Sequence, residues 1–210
     1  MHMLCHGFVV KVRGLLLVVL AAGWLTLGCS SSPAPVPPPT YDPDAMAAAA
    51  IAEYDKNGDG KLDAAELEHC PGLKIALFNM ETEKSYLTEE DIAERLRLFQ
   101  KSKAGLMSAR CTVTRDGKGC PDVTVTFVPE KFMGDAIKPG SGISDADGNV
   151  DIKVAGEPFS GLSLGYYRVE ASLKDPSGKE TLPARFNTDT KIGQEVQQRR
   201  TSHTRIEVDS

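Results

Sequence analysis

The sequence predicts an α+β protein in two segregated parts, a small helical pair followed by an antiparallel β-sandwich. Residues 45 to 104 are rich in Ala, Glu, Leu and Lys, with apolar residues at helical spacing. Residues 109 to 210 instead alternate Val and Thr between Gly and Pro punctuation, and helical periodicity stops at Lys103-Ala104-Gly105. A helix face repeats every 3.6 residues and a strand face every second residue, so a change of period marks a change of architecture.

Two segments precede the helical part. Residues 1 to 28 read as a leader: Lys11 and Arg13 are followed by Gly14 to Leu27, uncharged, apolar and too short to cross a bilayer comfortably as a helix. The stretch ends Leu25-Thr26-Leu27-Gly28-Cys29 and runs into Ser30-Ser31-Ser32-Pro33. A small residue immediately before a Cys at this place resembles the lipobox of bacterial lipoproteins, with Thr26 where a Leu is usual. The resemblance implies that Cys29 becomes the acylated first residue of an exported protein, anchored in a bacterial membrane by about 0.8 kcal/mol per buried methylene. An ordinary signal peptide and an uncleaved anchor are the other readings. Ser30, rather than Asp, after Cys29 resembles the sorting rule that favours the outer membrane in some bacteria. Residues 29 to 44, rich in Ser and Pro, read as a semi-extended tether.

The net charge is −5 and becomes −7 once a leader with two cations and no acid is removed. An acidic surface argues against nucleic acid as a partner, because phosphate contacts need clustered Lys and Arg. The pair Arg199-Arg200 reads as a solvated loop or strand edge.

Within the helical part, Ala45 to Tyr54 forms a first helix and Ala64 to Glu68 begins a second. Pro71-Gly72 breaks the chain, and Leu73, Ile75, Leu77 and Phe78 mark a short third helix. Thr88-Glu89-Glu90-Asp91 is a capping-box start for a fourth, with Ile92, Leu96 and Phe99 as its apolar stripe.

Between the first two helices lies Asp55-Lys56-Asn57-Gly58-Asp59-Gly60-Lys61-Leu62-Asp63-Ala64-Ala65-Glu66. Hard oxygen donors recur at alternate positions: the side chains of Asp55, Asn57 and Asp59, the Lys61 carbonyl, and Asp63 directly or through a water. Glu66 closes the set with both carboxylate oxygens. Ca2+ takes six to eight oxygens of this kind. Gly60 stands where the backbone turns sharply, and Leu62 points inward. Along its whole length the loop resembles the EF-hand family, which implies one calcium ion on Asp55, Asn57, Asp59, Lys61, Asp63 and Glu66. The plainer reading is a solvated Asp/Gly turn. Such loops come in pairs, and aligning Leu87 with Leu62 makes Met80 to Asp91 the partner. Met80, Thr82 and Lys84 then replace oxygen ligands and Asp91 replaces Glu. The expectation is a paired but empty second loop that braces the first.

In the β part, Arg115-Asp116-Gly117-Lys118 is a hairpin signal, and a two-residue turn there sets Cys111 and Cys120 diagonally on one face. Export to an oxidising compartment would allow a disulfide between them, and small buried thiols are the alternative. Asp122 to Glu130, Gly142 to Ile152 around a turn, Gly165 to Ala171 and Thr204 to Val208 read as further strands. The segments Val113-Thr114-Arg115-Asp116-Gly117, Val123-Thr124-Val125-Thr126-Phe127-Val128-Pro129-Glu130, Ser144-Asp145-Ala146-Asp147-Gly148, Gly165-Tyr166-Tyr167-Arg168-Val169 and Leu182-Pro183-Ala184-Arg185-Phe186 resemble, in this order, the carboxypeptidase regulatory-like or transthyretin-like sandwich. Cys111 stands where that family commonly has Gly, which favours the hairpin disulfide. Asp145-Ala146-Asp147-Gly148-Asn149 reads as a β-turn, since Ile143 and Val154 fall where a calcium loop needs its outer ligands.

Some transthyretin-like proteins are hydrolases with a C-terminal Tyr-Arg-Gly-Ser; this chain ends Glu207-Val208-Asp209-Ser210. His69 and His203 share no metal or triad spacing and read as surface residues. The functional expectation is a non-enzymatic, membrane-tethered, extracytoplasmic calcium-binding protein. Its rival is a structural or adhesive module of the cell envelope that binds a protein or glycan, with calcium only stabilising it.

Overall fold

The computed structural model describes residues 34–80, 83–198 and 202–209. The leader, Cys29, Thr82 and the Arg199-Arg200 pair lie outside the described residues. The protein is α+β, and the residues from Pro35 onward form one compact unit.

Helix α1 (Pro43–Tyr54) is capped by Asp42, whose carboxylate accepts the Asp44 and Ala45 amides at 3.0 and 3.2 Å. It therefore starts two residues earlier than the periodicity indicated: a Pro at the first helical position gives up an N–H that has no partner there anyway. Strand β1 (Lys61–Leu62), helix α2 (Ala64–Leu67), helix α3 (Pro71–Asn79), strand β2 (Leu87–Thr88) and helix α4 (Glu89–Ser102) follow. The same proline argument explains why Pro71, expected to break the chain, opens α3 instead. Thr88 caps α4 as expected, its hydroxyl accepting the Asp91 amide and the Asp91 carboxylate returning to the Thr88 amide. The end of the expected tether lies against α4, where Gln100 Nε2 donates to the Tyr41 carbonyl at 2.5 Å.

The β part contains β3 (Ala109–Arg115), β4 (Lys118–Gly119), β5 (Thr124–Pro129), β6 (Gly140–Ile143), β7 (Asn149–Asp151), β8 (Lys153–Val154), β9 (Gly165–Ser172), β10 (Gly193–Val196) and β11 (Ser202–Glu207). One sheet runs β10-β9-β5-β6-β8; the other runs β11-β3-β4, with β7 also paired to β3. The hairpin between β3 and β4 turns at Asp116 and Gly117, both at positive φ, as a two-residue hairpin turn requires. Two expectations are corrected. The strand after the Asp145 turn divides at Ile152, sending β7 to β3 and β8 to β6. The pairing is also not wholly antiparallel: β11 runs parallel to β3 from Ser202↔Ala109 to Glu207↔Thr114, because it comes from β10 at the edge of the other sheet and not from a hairpin neighbour.

Although distinct in sequence, helices and sheets share one hydrophobic core. Tyr166 of β9 is fully buried, its ring 5.6 Å from Phe99 of α4 and 5.7 Å from Phe132, whose ring in turn meets Tyr54 of α1 edge-on at 6.4 Å. Gly72 in α3 approaches the β9 backbone so closely that a Cβ there would lie 2.9 Å from the Tyr167 nitrogen. Polar ties reinforce the seam. Arg95 of α4 forms a two-pronged ion pair with Glu195 of β10, whose side chain is fully buried, and Asn79 Nδ2 donates to the same carboxylate at 2.8 Å.

Candidate metal centre

The Asp55–Glu66 loop is wound by its own side chains. Asp55 Oδ1 accepts the Gly58 amide at 2.6 Å and its Oδ2 the Gly60 amide at 2.9 Å. Asn57 Oδ1 accepts the Asp59 amide and Asp59 Oδ1 the Lys61 amide, both at 2.9 Å. Asp63 caps α2 by accepting the Ala65 and Glu66 amides at 2.8 and 3.0 Å. Glu66 reaches back across the whole loop: Oε1 accepts the Lys56 and Asn57 amides at 2.8 and 3.2 Å, and Oε2 accepts the Asp63 amide at 3.0 Å. This carboxylate is only 6% exposed, so its three amide partners are what make its burial tolerable. Gly60 takes φ +78°, a left-handed conformation that strains any residue with a Cβ. Hydrogen bonds from the loop amides, Gly60 foremost, hold the Asp55 carboxyl below the usual carboxylate range.

All six residues expected at an ion therefore lie in one loop, and their donors are oxygens only, the kind a hard cation takes. Asp59 Oδ2 and Asp63 Oδ2 accept no hydrogen bond among the described residues. The carboxylates are turned to amides, however, and among the described residues no three His, Cys, Asp or Glu side chains are gathered as a metal-holding group. The donor set thus fits calcium in kind without converging on one point.

Leu62 pairs with Leu87 in a two-stranded antiparallel ribbon, the register expected from aligning the two loops, and both side chains are buried. The Lys61 ammonium lies 4.7 Å over the Tyr86 ring, joining the loops a second time. In the second loop the ammonium of Lys84 lies 2.7 and 3.0 Å from the two oxygens of Asp91, the residue aligned with Glu66. Burial works to raise the Asp91 carboxyl, but Lys84 and the Thr88 hydrogen bonds outweigh it and hold the group below its ordinary value. A side-chain cation thus occupies the carboxylate that closes the loop.

Behind the first loop is a cluster that sequence reasoning missed. Glu130, at the end of β5 and 2% exposed, accepts the Gly72 amide at 2.7 Å, and its other oxygen lies 3.5 Å from the hydroxyl of Tyr54, the residue preceding Asp55. Cys70 is buried beside them. Burial raises the Glu130 carboxyl above its usual range, against the lowering effect of the Gly72 amide. An acid that closes a strand reads from sequence as solvent-facing, so nothing in the chain's pattern signals this role.

The expected bridge between Cys111 and Cys120 is absent: both are free, buried thiols, as is Cys70. The Cys120 amide bonds to the Val113 carbonyl, so Cys120 lies opposite Val113 and only diagonal to Cys111. Diagonal neighbours stand about 7–8 Å apart at Cα, beyond the roughly 4.4–6.8 Å of a disulfide. Burial pushes the Cys111 thiol up to about 12. His69 and His203 are exposed, the latter 3.1 Å from Thr112 Oγ1. Asp145 Oδ1 accepts the Asp147 and Asn149 amides within its own turn. Among the described residues no helix is long and apolar enough to cross a membrane. In comparisons with protein families, with curated proteins and with solved structures, the chain matches none.

Proposed function

We propose that this chain is a non-enzymatic calcium-binding protein of the cell envelope, exported and held to a membrane by a lipid on Cys29. In this reading the helical part is an EF-hand pair and the two sheets are a transthyretin-like sandwich. The observation that carries the reading is the Asp55–Glu66 loop: oxygen donors at every alternate position, Gly60 at the sharp turn, and Leu62 paired with Leu87. Asp55, Asn57, Asp59, the Lys61 carbonyl, Asp63 and Glu66 would hold the ion, which would supply charge neutralisation to a loop carrying four carboxylates. Lys84 on Asp91 supports a partner loop that needs no ion.

Calorimetric calcium titration of the chain beside Glu66→Gln tests this. One site per chain, weakened in the variant by about tenfold or more, is the expected result. Two sites would mean the second loop also binds, and no heat up to millimolar calcium would sink the proposal.

One observation favours the bracing role over a sensing one. The end of α1, the start of α3 and the middle of α4 are tied to the β part through Tyr54, Gly72 and Arg95, and Lys131 pairs with Glu53 at 2.9 Å. Helices fixed in this way have little room to reorient. Calcium should raise the melting temperature without increasing binding of an apolar dye; a rise in dye fluorescence would favour the sensor.

A further inference from the structure

A groove of about 400 Å³ lies between α3 and the strands β10 and β11, and none of its lining residues belongs to the Asp55–Glu66 loop. Its charge is opposite in sign to that of the chain. Lys191 and Arg205 line it, in a protein of net charge −5. The acid in the wall, Glu195, is fully buried and already matched by Arg95 and Asn79. Lys191 donates to the Glu68 carbonyl at 2.9 Å, while the Glu68 carboxylate is taken by Lys74. Arg205 forms no ion pair among the described residues. At the rim stands Phe78, 79% exposed, the most exposed large apolar side chain among the described residues.

The backbone of the groove is equally specific. β11 ends its sheet, so its outer edge has no strand partner among the described residues. Along it Ser202, Thr204 and Ile206 face inward and His203 and Arg205 face outward. Arg110, opposite His203 on β3, is exposed on the same face. An open edge offers N–H and C=O groups at strand spacing, and Arg205, with Arg110 on the neighbouring strand, sets the charge of what can lie beside it.

We propose that this groove binds an extended acidic segment of a partner protein, added as a strand to the edge of β11. Acidic side chains at alternate positions stand beside His203 and Arg205, and the intervening apolar side chains turn toward Phe78 and Ile75. Backbone hydrogen bonds supply affinity, and the Arg205 guanidinium with the polar His203 ring beside it supplies selectivity. This groove shares no residue with the Asp55–Glu66 loop, so failure of calcium binding would leave peptide binding standing, and the reverse.

The test is fluorescence anisotropy of a labelled short peptide alternating Glu and Val, titrated with the full chain. The expected result is saturable binding that Arg205→Glu weakens by about tenfold or more, while the variant keeps the parent's melting temperature. Methylating alternate amide nitrogens on one edge of the peptide should remove binding, because methylation blocks strand pairing and leaves charge intact. No saturation up to roughly millimolar protein, or equal binding by the methylated peptide, would overturn the proposal. So would sedimentation showing a dimer that Arg205→Glu dissociates, which would assign the edge to a second copy of this chain.

Discussion

Glu66→Gln removes a proposed calcium ligand, yet its effect should already be measurable with calcium chelated. Both Glu66 oxygens are in use: Oε1 accepts two amides and Oε2 accepts the Asp63 amide. Glutamine keeps one acceptor, which can stay on Lys56 and Asn57. Its NH2 group then faces the Asp63 N–H, donor against donor. The loss is one charge-assisted hydrogen bond, about 1.5–3 kcal/mol when the acceptor is ionised, set against partial rescue by water at an otherwise exposed loop. The net cost should be about 1–3 kcal/mol. For a chain of this size each kcal/mol lowers the melting temperature by about 2–4 °C, giving a fall of about 2–12 °C. Urea unfolding of parent and variant in a chelator measures it. Equal stability would refute the claim that Glu66 braces the loop unaided. In saturating calcium the gap should widen by the linkage term, about 2.7 kcal/mol at a hundred times the dissociation constant, because only the parent binds tightly.

The other predictions concern the seam between helices and sheets. Arg95→Met should destabilise the protein by about 3–5 kcal/mol, since it leaves the buried Glu195 carboxylate with Asn79 alone, and Arg95→Met with Glu195→Leu should recover most of that loss. A denaturant-based double-mutant cycle reads both; a single variant as stable as the parent would contradict the ion pair. Glu130→Gln should stabilise the fold at neutral pH. A carboxyl whose folded value is raised favours the folded state below its unfolded value, near 4.5, and loses that advantage as pH rises through the folded value. The variant's gain in melting temperature should therefore grow from acid to neutral pH, and a gain that is flat with pH would rule out Glu130 as its source.

Parts of the fold were legible wherever a local rule decides the outcome. Thr88 and Asp91 announced the start of α4, Asp116-Gly117 announced the hairpin, and the alignment of Leu62 with Leu87 is the register of the ribbon. The misreadings have a common cause. Pro71 reads as a breaker and Pro43 as part of the tether because a proline's effect depends on whether it stands at the first helical position or deeper, which composition does not tell. β10 was missed because Gly193-Gln194-Glu195-Val196 carries a buried glutamate that the distant Arg95 and Asn79 make tolerable. The parallel pairing of β11, and Glu130 between Tyr54 and Gly72, likewise depend on partners far away in sequence. At the loop the residue types were readable, but the present use of each carboxylate on amides was not.

The two loops meet the same electrostatic problem with different cations. A loop that gathers carboxylates to close on itself must offset their mutual repulsion, and in the second loop Lys84 does so on Asp91. That solution is built into the chain, and it brings a positive charge that would repel a metal ion. The first loop has no such internal cation: Lys61 points its ammonium to Tyr86, and the Lys56 ammonium donates to the Glu53 carbonyl. Its acids rely on amide hydrogen bonds, which organise the loop without neutralising it. In the proposed reading, an external divalent ion supplies the missing charge. The joining ribbon and the tied ends of α1 and α3 confine the response to the loop and the short α2. In that reading calcium acts on stability more than on shape.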